Sequence, residues 1–465
     1  MIRLFGHYIP RSLFHLAVAE GMVFFAAWCL GVLLRFGFRL PNEQTLWVFL
    51  ANGAMFTLFM SAAMLAMGLY QRHAEPRGAS FAVRLGLSLV AGTAVLAFLY
   101  FLVPAIATGR GVLGLSLAIA FLGVVLVRRI FVRAAGAGAL QRRLLVLGAG
   151  TNAQQIRDTI EKNDRLQFTI AGYVPLPRNE QMIPDAMIIR RDKPLWDLVI
   201  EHDVDEIVVA ADEMRGVLPV EELIDCRMSG FEVLNLPSFF EKELALIRIQ
   251  VVSPNWIIFS ESGFRSGATG LYGKRLFDLV AASLMLIVAS PIMALVAMAS
   301  LIESRGRDPV FYHQVRVGEN GRLFRLHKFR SMRVDAEADG IARWATKKDP
   351  RITRLGALLR RTRLDELPQI VNVLRGQMSL VGPRPERPDF VDELGAKIPY
   401  YAERHRVKPG VTGWAQLLYP YGSDLEDATR KLEYDLYYVK HASIMLDLII
   451  LLQTVEVVLF GKGAR

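Results

Sequence analysis

The chain has 465 residues, 52% of them apolar, with mean hydropathy +0.30 and a formal net charge of +10 from 55 Lys and Arg against 45 Asp and Glu. That length exceeds one ordinary domain, that apolar share excludes a wholly water-soluble chain, and the charge suits an anionic partner: lipid headgroups, phosphates or nucleic acid. Only Cys29 and Cys226 occur, so a disulfide framework and a cysteine-based zinc site are both excluded.

Four apolar runs come first, at Leu13 to Leu34, Leu46 to Tyr70, Phe81 to Val103 and Gly111 to Val127, each near the ~20 residues a spanning helix needs. They predict a four-helix transmembrane domain over 1–137. The first run is long and lacks a small-residue cleavage site, so no cleavable signal peptide is expected. One set of connections carries Arg3, Arg11, Arg72, Arg77, Arg84, Arg128, Arg129, Arg133, Arg142 and Arg143, and the opposite set only Arg35, Arg39 and Arg110. The positive-inside rule then puts both ends of the bundle, and the domain C-terminal to it, in the cytoplasm.

After Arg143 an apolar strand, Leu144 to Leu147, enters Gly148-Ala149-Gly150-Thr151-Asn152-Ala153 and a polar helix, which resembles a Rossmann-type first βαβ unit. Strand-like runs at Phe168 to Val174, Glu206 to Ala211 and Phe231 to Leu236 alternate with helical stretches and predict a Rossmann-like α/β domain over 138–268. The second strand, ending Ala171-Gly172-Tyr173-Val174, supplies no acidic ribose ligand, so the glycines are read as serving a tight strand-to-helix turn. Tyr-x-x-x-Lys is also missing from 140–265, which argues against a nucleotide-sugar-modifying enzyme built on this domain. Gly267 to Arg275 fails the P-loop spacing, and Arg275 stands where Ser or Thr is required. It is read as a basic linker.

Phe277 to Ile302 is apolar, but Ser290-Pro291 stands at its centre, where proline predicts a break or a strong kink. Each half is then about 12 residues, roughly 18 Å, short of the ~30 Å hydrocarbon core. Lys274 and Arg275 precede the run and Arg305 and Arg307 come after it, so a re-entrant helix over 276–302 is expected, with both ends cytoplasmic.

From Arg322 to Arg363 thirteen Lys or Arg face four Asp or Glu, a surface for phosphates or anionic lipid. Leu367, Ile370, Val371 and Leu374 then repeat at helical spacing. Because Pro368 is tolerable only in a first turn, the helix should begin at or near Asp365. Carboxylates there are held ionised by the free amides, and Asp365 and Glu366 together could hold Mg²⁺ and supply a nucleophile. Pro383 and Pro385 stiffen the backbone around Arg384, whose fork suits phosphate oxygens, and Gly410 and Gly413 allow a tight turn beside it. The tail from Ser443 to Phe460 reads as a helix lying in the membrane interface.

Lys328-Phe329-Arg330-Ser331-Met332, Leu364-Asp365-Glu366-Leu367-Pro368-Gln369, Gly382-Pro383-Arg384-Pro385 and Pro409-Gly410-Val411-Thr412-Gly413 together resemble, in order, the bacterial sugar transferase family of monotopic phosphoglycosyl transferases. The resemblance implies a mainly α catalytic domain over 269–465. It further implies transfer of a hexose-1-phosphate from a UDP-hexose to undecaprenyl phosphate at the cytoplasmic face of a bacterial inner membrane, with Mg²⁺. Asp365 would be the nucleophile, Glu366 its partner at the metal, Arg384 a phosphate ligand and Ser290-Pro291 the membrane break. Lys328, Arg330 and Arg351 extend the phosphate-binding set, and Asp435 is a further active-site candidate. No nucleic-acid partner is expected, and a homodimer is expected by family analogy. The rival reading from another class is a non-enzymatic membrane scaffold.

Overall fold

A computed structural model describes residues 2–4, 7–9, 11–37, 46–70, 79–104, 109–136, 141–161, 168–177, 180–260, 268–334, 336, 349–419 and 424–460. Two compact units result, one made mainly of Tyr8–Met64 and Leu69–Ile257, the other mainly of Ile258–Arg465. Contacts therefore join the first helices and the α/β domain in a single unit, which closes about ten residues before the boundary expected at 268.

Strands β1 (Ile2–Leu4) and β2 (His7–Ile9) open the chain, and the first unit is then built on helices α1 (Arg11–Arg35), α2 (Leu46–Ala66), α3 (Ala79–Leu102) and α4 (Arg110–Gly136). All four helices are long and apolar enough to cross a membrane. Phe24, Trp28, Phe56, Met60, Leu85, Leu96 and Val124 form their shared core. Glu20 of α1 and Arg128 of α4 pair inside it, Nε to Oε1 at 2.5 Å, and the guanidinium lies 5.1 Å from the Phe81 ring centre. Arg128, counted among the basic connection residues, is thus a buried partner of Glu20 and drops out of the charge asymmetry. Arg39, Arg72 and Arg77 lie outside the described residues.

The α/β part continues the chain as β3 (Arg142–Leu147), α5 (Thr151–Glu161), β4 (Phe168–Val174), α6 (Leu195–Glu201), β5 (Glu206–Val209), α7 (Val220–Met228), β6 (Glu232–Asn235), α8 (Leu236–Leu244) and α9 (Pro254–Phe259). Its sheet is parallel in the order β4-β3-β5-β6. Leu144 to Leu147 are all buried, as a strand covered on both faces requires. One face packs on α5 and α8 through Ile156, Phe239 and Phe240, the other on α6 and α7 through Leu195, Leu198 and Cys226.

At the Gly-x-Gly turn the first amides of α5, where a phosphate would sit, are already occupied. Asp212 accepts from Thr151 N at 2.9 Å and from Asn152 N at 2.8 Å. A Cβ on Gly150 would collide with the same carboxylate. The glycine therefore admits an internal anion, and the turn is closed by the chain itself.

In the second unit, α10 (Ala268–Glu303) corrects two expectations. Lys274 and Arg275 belong to this helix and are no linker: Lys274 Nζ meets Asp447 at 2.5 Å, and Arg275 donates to the carbonyls of Val373 and Leu374. Gly267 lies outside the described residues. Nor does Ser290-Pro291 break the helix, which runs on through Pro291. Proline leaves the Ile287 carbonyl, four residues earlier, without its usual amide. The Ser290 hydroxyl donates to that carbonyl at 2.9 Å and so repairs the defect.

Both ends of α10 bind the same unit. Asp278 accepts from Ser379 Oγ at 3.0 Å near one end, and Glu303 accepts from Leu355 N at 2.9 Å at the other, about 38 Å of helix away. Asp278, Ala282, Ala289, Val296 and Ser300 are buried along one face. Leu276, Val280, Leu284, Ile287, Leu295, Met298 and Ile302 are exposed along another.

The remaining elements are the hairpin β7 (Phe311–Val317) and β8 (Leu323–Phe329), α11 (Arg354–Thr362), α12 (Gln369–Leu374), β9 (Ser379–Val381), α13 (Pro388–Lys397), β10 (Gly410–Thr412), α14 (Trp414–Leu418), α15 (Leu425–His441) and α16 (Ile444–Phe460). The tail helix α16 turns Leu446, Asp447 and Ile450 into the unit and leaves Ile444, Met445, Leu448 and Val455 exposed. The polar interruption at Asp447 is an inward partner, since it also accepts from the Tyr438 hydroxyl at 2.7 Å.

Candidate active site

Three motifs meet around Glu366. On β8, alternation puts Lys328 in phase with buried Phe324 and Leu326, so its ammonium reaches inward and bonds Glu366 Oε1 at 2.9 Å. Arg384 Nη2 donates to the same oxygen at 3.0 Å. The two cations outweigh the cost of burial and hold the Glu366 carboxyl well below the usual carboxylate range.

Asp365 beside it is the opposite case. It is buried, and among the described residues its carboxylate takes no hydrogen bond and no ion pair. Burial first, and then the charge of Glu366, push its carboxyl upward against the pull of Lys328, Arg360 and Arg384. One carboxylate is thus paired and held ionised, while its neighbour is desolvated and unpaired among the described residues.

The turn that presents them differs from expectation. Leu364–Glu366 is a 3₁₀ turn, and the α-helix begins only at Gln369. Pro368 has no N–H to give the Leu364 carbonyl, so that carbonyl is met by Leu367 N at 3.3 Å in the tighter pattern. Arg363, in the left-handed region at φ 58°, ends α11 and opens this turn.

Arg384 is held by backbone contacts. β9 and β10 pair in parallel, Ser379 opposite Gly410 and Val381 opposite Thr412. Gly382 N then bonds Thr412 O, and Gly410 N bonds Pro383 O, both at 2.9 Å. A Cβ on Gly410 would strike the Gly382 nitrogen, so these glycines serve a close approach between two motifs and not the tight turn expected of Gly410 and Gly413. The Gly-Pro-Arg-Pro and Pro-Gly-Val-Thr-Gly motifs are one small ladder.

The other expected site residues have partners of their own. Arg330 is spent on the carbonyls of Pro309 and Met332 and on Asp308, and Arg351 forms a two-bonded local pair with Asp349 at 2.8 and 2.6 Å. Asp435 is buried against Arg404 at 2.7 Å, and Arg404 in turn donates to the Arg384 carbonyl at 3.1 Å. Burial pushes the Asp435 carboxyl up, against the pull of Arg404, to about 6. Its contact with the site runs through Arg404.

Two residues went unread in the sequence. Arg404 sits in an ordinary-looking charged stretch and gave no signal. Fully buried Asn372 bonds the backbone of β8 at His327 N, 3.0 Å, and Arg325 O, 2.7 Å, fixing α12 against the strand that carries Lys328. Its helical phase with buried Gln369 and Val373 could have revealed it.

For Mg²⁺, Asp365 and Glu366 supply two carboxylates, and among the described residues no group of three or more His, Cys, Asp or Glu converges. Two carboxylates completed by water and substrate phosphates is an arrangement this ion favours, so the pair fits it in that form.

A family model described as bacterial sugar transferase matches residues 269–461, and one described as a CoA-binding domain matches 66–214. A UDP-glucose:undecaprenyl-phosphate glucose-1-phosphate transferase of Escherichia coli (strain K12) is 32% identical over 340 residues, 70% of each chain. An undecaprenyl-phosphate glucose phosphotransferase of Komagataeibacter xylinus is 32% identical over 337 residues, 70% of this chain and 60% of that protein. A UDP-N-acetylgalactosamine-undecaprenyl-phosphate N-acetylgalactosaminephosphotransferase of Aeromonas hydrophila is 46% identical over 192 residues, 41% of this chain and 45% of that protein. The chain thus spans 60% and 45% of the length of the last two relatives. It belongs to the bacterial sugar transferase family.

Proposed function

We propose that the chain transfers a hexose-1-phosphate from a UDP-hexose to undecaprenyl phosphate, releasing UMP through a phosphosugar-aspartate intermediate. The observation that carries the reading is the pairing of a buried, unbonded Asp365 with a Glu366 neutralised by Lys328 and Arg384. In the first step an Asp365 oxygen attacks the β-phosphorus, forming a P–O bond as the bond to UMP breaks. In the second a phosphate oxygen of the polyprenyl phosphate attacks the same phosphorus and the Asp365 oxygen leaves, giving a diphosphate-linked sugar. Lys328 and Arg384 are within reach of the charge developing at phosphorus, and Glu366 sets their positions. Mg²⁺, held by Asp365 and Glu366 with substrate phosphates, would neutralise diphosphate oxygens.

We infer that α10 enters lipid without crossing the bilayer, lying unbroken along the membrane interface with both ends on the cytoplasmic side of an inner membrane. A spanning helix would put its ends on opposite sides of the bilayer, whereas one polar unit holds both. The remaining basic connection residues support the same side for the catalytic unit.

Transfer is read by incubating purified protein with a radiolabelled UDP-sugar panel and undecaprenyl phosphate. Label entering the organic phase with one sugar supports the reaction and names the donor. Nucleotide bound but unconverted across the panel favours a scaffold.

The donor half-reaction should fall on the acid side at a pH above the ordinary aspartate range, because protonation removes the nucleophile. Glu366→Gln deletes the neighbouring anion and leaves two cations acting on Asp365, so the acid limb of residual UMP release should move to lower pH. A limb that stays in place contradicts the coupling.

A further inference from the structure

The geometry points to a seat for the phosphate head of a membrane lipid in a cavity at the C-terminal end of α10, apart from the Asp365 site. This proposal rests on the reading that α10 lies in lipid. The cavity measures about 570 Å³, and Ser304, Arg330, Arg333, Thr353 and Arg354 are among the residues that line it.

Its charges do not cancel. Asp308 is matched by Arg330 at 3.3 Å, and the Glu303 carboxylate is engaged by the Leu355 amide. Arg333 and Arg354 are exposed, and among the described residues neither guanidinium has a hydrogen bond or an ion pair. Two uncommitted guanidinium forks flanking a hollow suit phosphate oxygens.

The surroundings say which kind of phosphate. Met298, Leu301 and Ile302, 54%, 45% and 70% exposed, end at the cavity rim, where Glu303 and Ser304 begin its lining. An amphiphile can put its anionic head among the arginines and run its chains back along α10, whereas a soluble phosphate has no use for that stripe. The nine residues of α11 separate Arg354 from the Asp365 turn by about 12 Å of helix. The cavity therefore holds a lipid head beside the reaction and not in it. Polyprenyl phosphate waiting to react and a resident anionic phospholipid share this chemistry.

The test uses the full chain in phosphatidylcholine nanodiscs containing phosphatidylglycerol, comparing the parent with Arg333→Ala/Arg354→Ala and Arg333→Lys/Arg354→Lys. Native mass spectrometry reads retained phosphatidylglycerol, and transfer kinetics read KM for acceptor and donor separately. A rise of about tenfold or more in acceptor KM, with donor KM unchanged and recovery in the lysine variant, supports the site and makes polyprenyl phosphate its occupant. Loss of retained phosphatidylglycerol with unchanged kinetics supports it with phospholipid as occupant. No change in either readout overturns it, as does a rise in donor KM alone. Should the parent transfer no sugar at all, the proposed reaction fails, while lipid retention still decides the cavity.

Discussion

Replacing Asp365 with Asn should lower sugar-phosphate transfer by about 10³-fold or more while leaving Tm equal to or above that of the parent. The first half comes from chemistry, since an amide is no nucleophile toward phosphorus. The second comes from where the carboxylate sits. Its folded-state pKa is raised, chiefly by burial and then by Glu366, so the stabilising form is the protonated one. That contribution is present below the unfolded-state value and is lost as pH rises through the folded value. At neutral pH the ionised group is a cost that Asn removes, and the gap in Tm between variant and parent should close on acidification. Thermal unfolding in detergent between neutral and acidic pH checks this. A variant markedly less stable than the parent at neutral pH would mean that the carboxylate has a structural partner.

Gly410→Ala should destabilise the catalytic unit by about 3 kcal/mol or more and abolish transfer with it. The added methyl meets the backbone of Gly382, with no flexible side chain to give way, and it forces apart the two strands that hold Arg384. Gly395→Ala is the matched contrast. Gly395 lies within α13, and a Cβ there meets nothing within 4 Å. That change should leave transfer intact and stabilise by about 0.5 to 1 kcal/mol, the helix advantage of Ala over Gly. Equal losses in the two variants would contradict the ladder as the support of Arg384.

Apolar run lengths were enough to mark α1 to α4, and β4 begins and ends where its run does, because length and periodicity are local properties. The doubly covered sheet was legible in continuous apolar strands such as Leu144 to Leu147. What stayed hidden depends on partners far away in the chain. Asp212 lies about 60 residues beyond the turn it fills, and nothing near it announces that role. Arg330 and Arg351 belong to the same basic stretch as Lys328. Only the fold separates the residue that reaches Glu366 from the two consumed by local carbonyls and carboxylates. Ser290-Pro291 was legible as a defect, but the hydroxyl that satisfies Ile287 lets the helix continue.

The most direct test of the nucleophile omits the acceptor. Parent protein mixed with the UDP-sugar found active should release one UMP per active site in a burst and gain the mass of one hexose phosphate, carried by the peptide that contains Asp365. Asp365→Asn should show neither. A hexose phosphate on any other residue, or UMP release by Asp365→Asn at the parent's rate, would contradict the account.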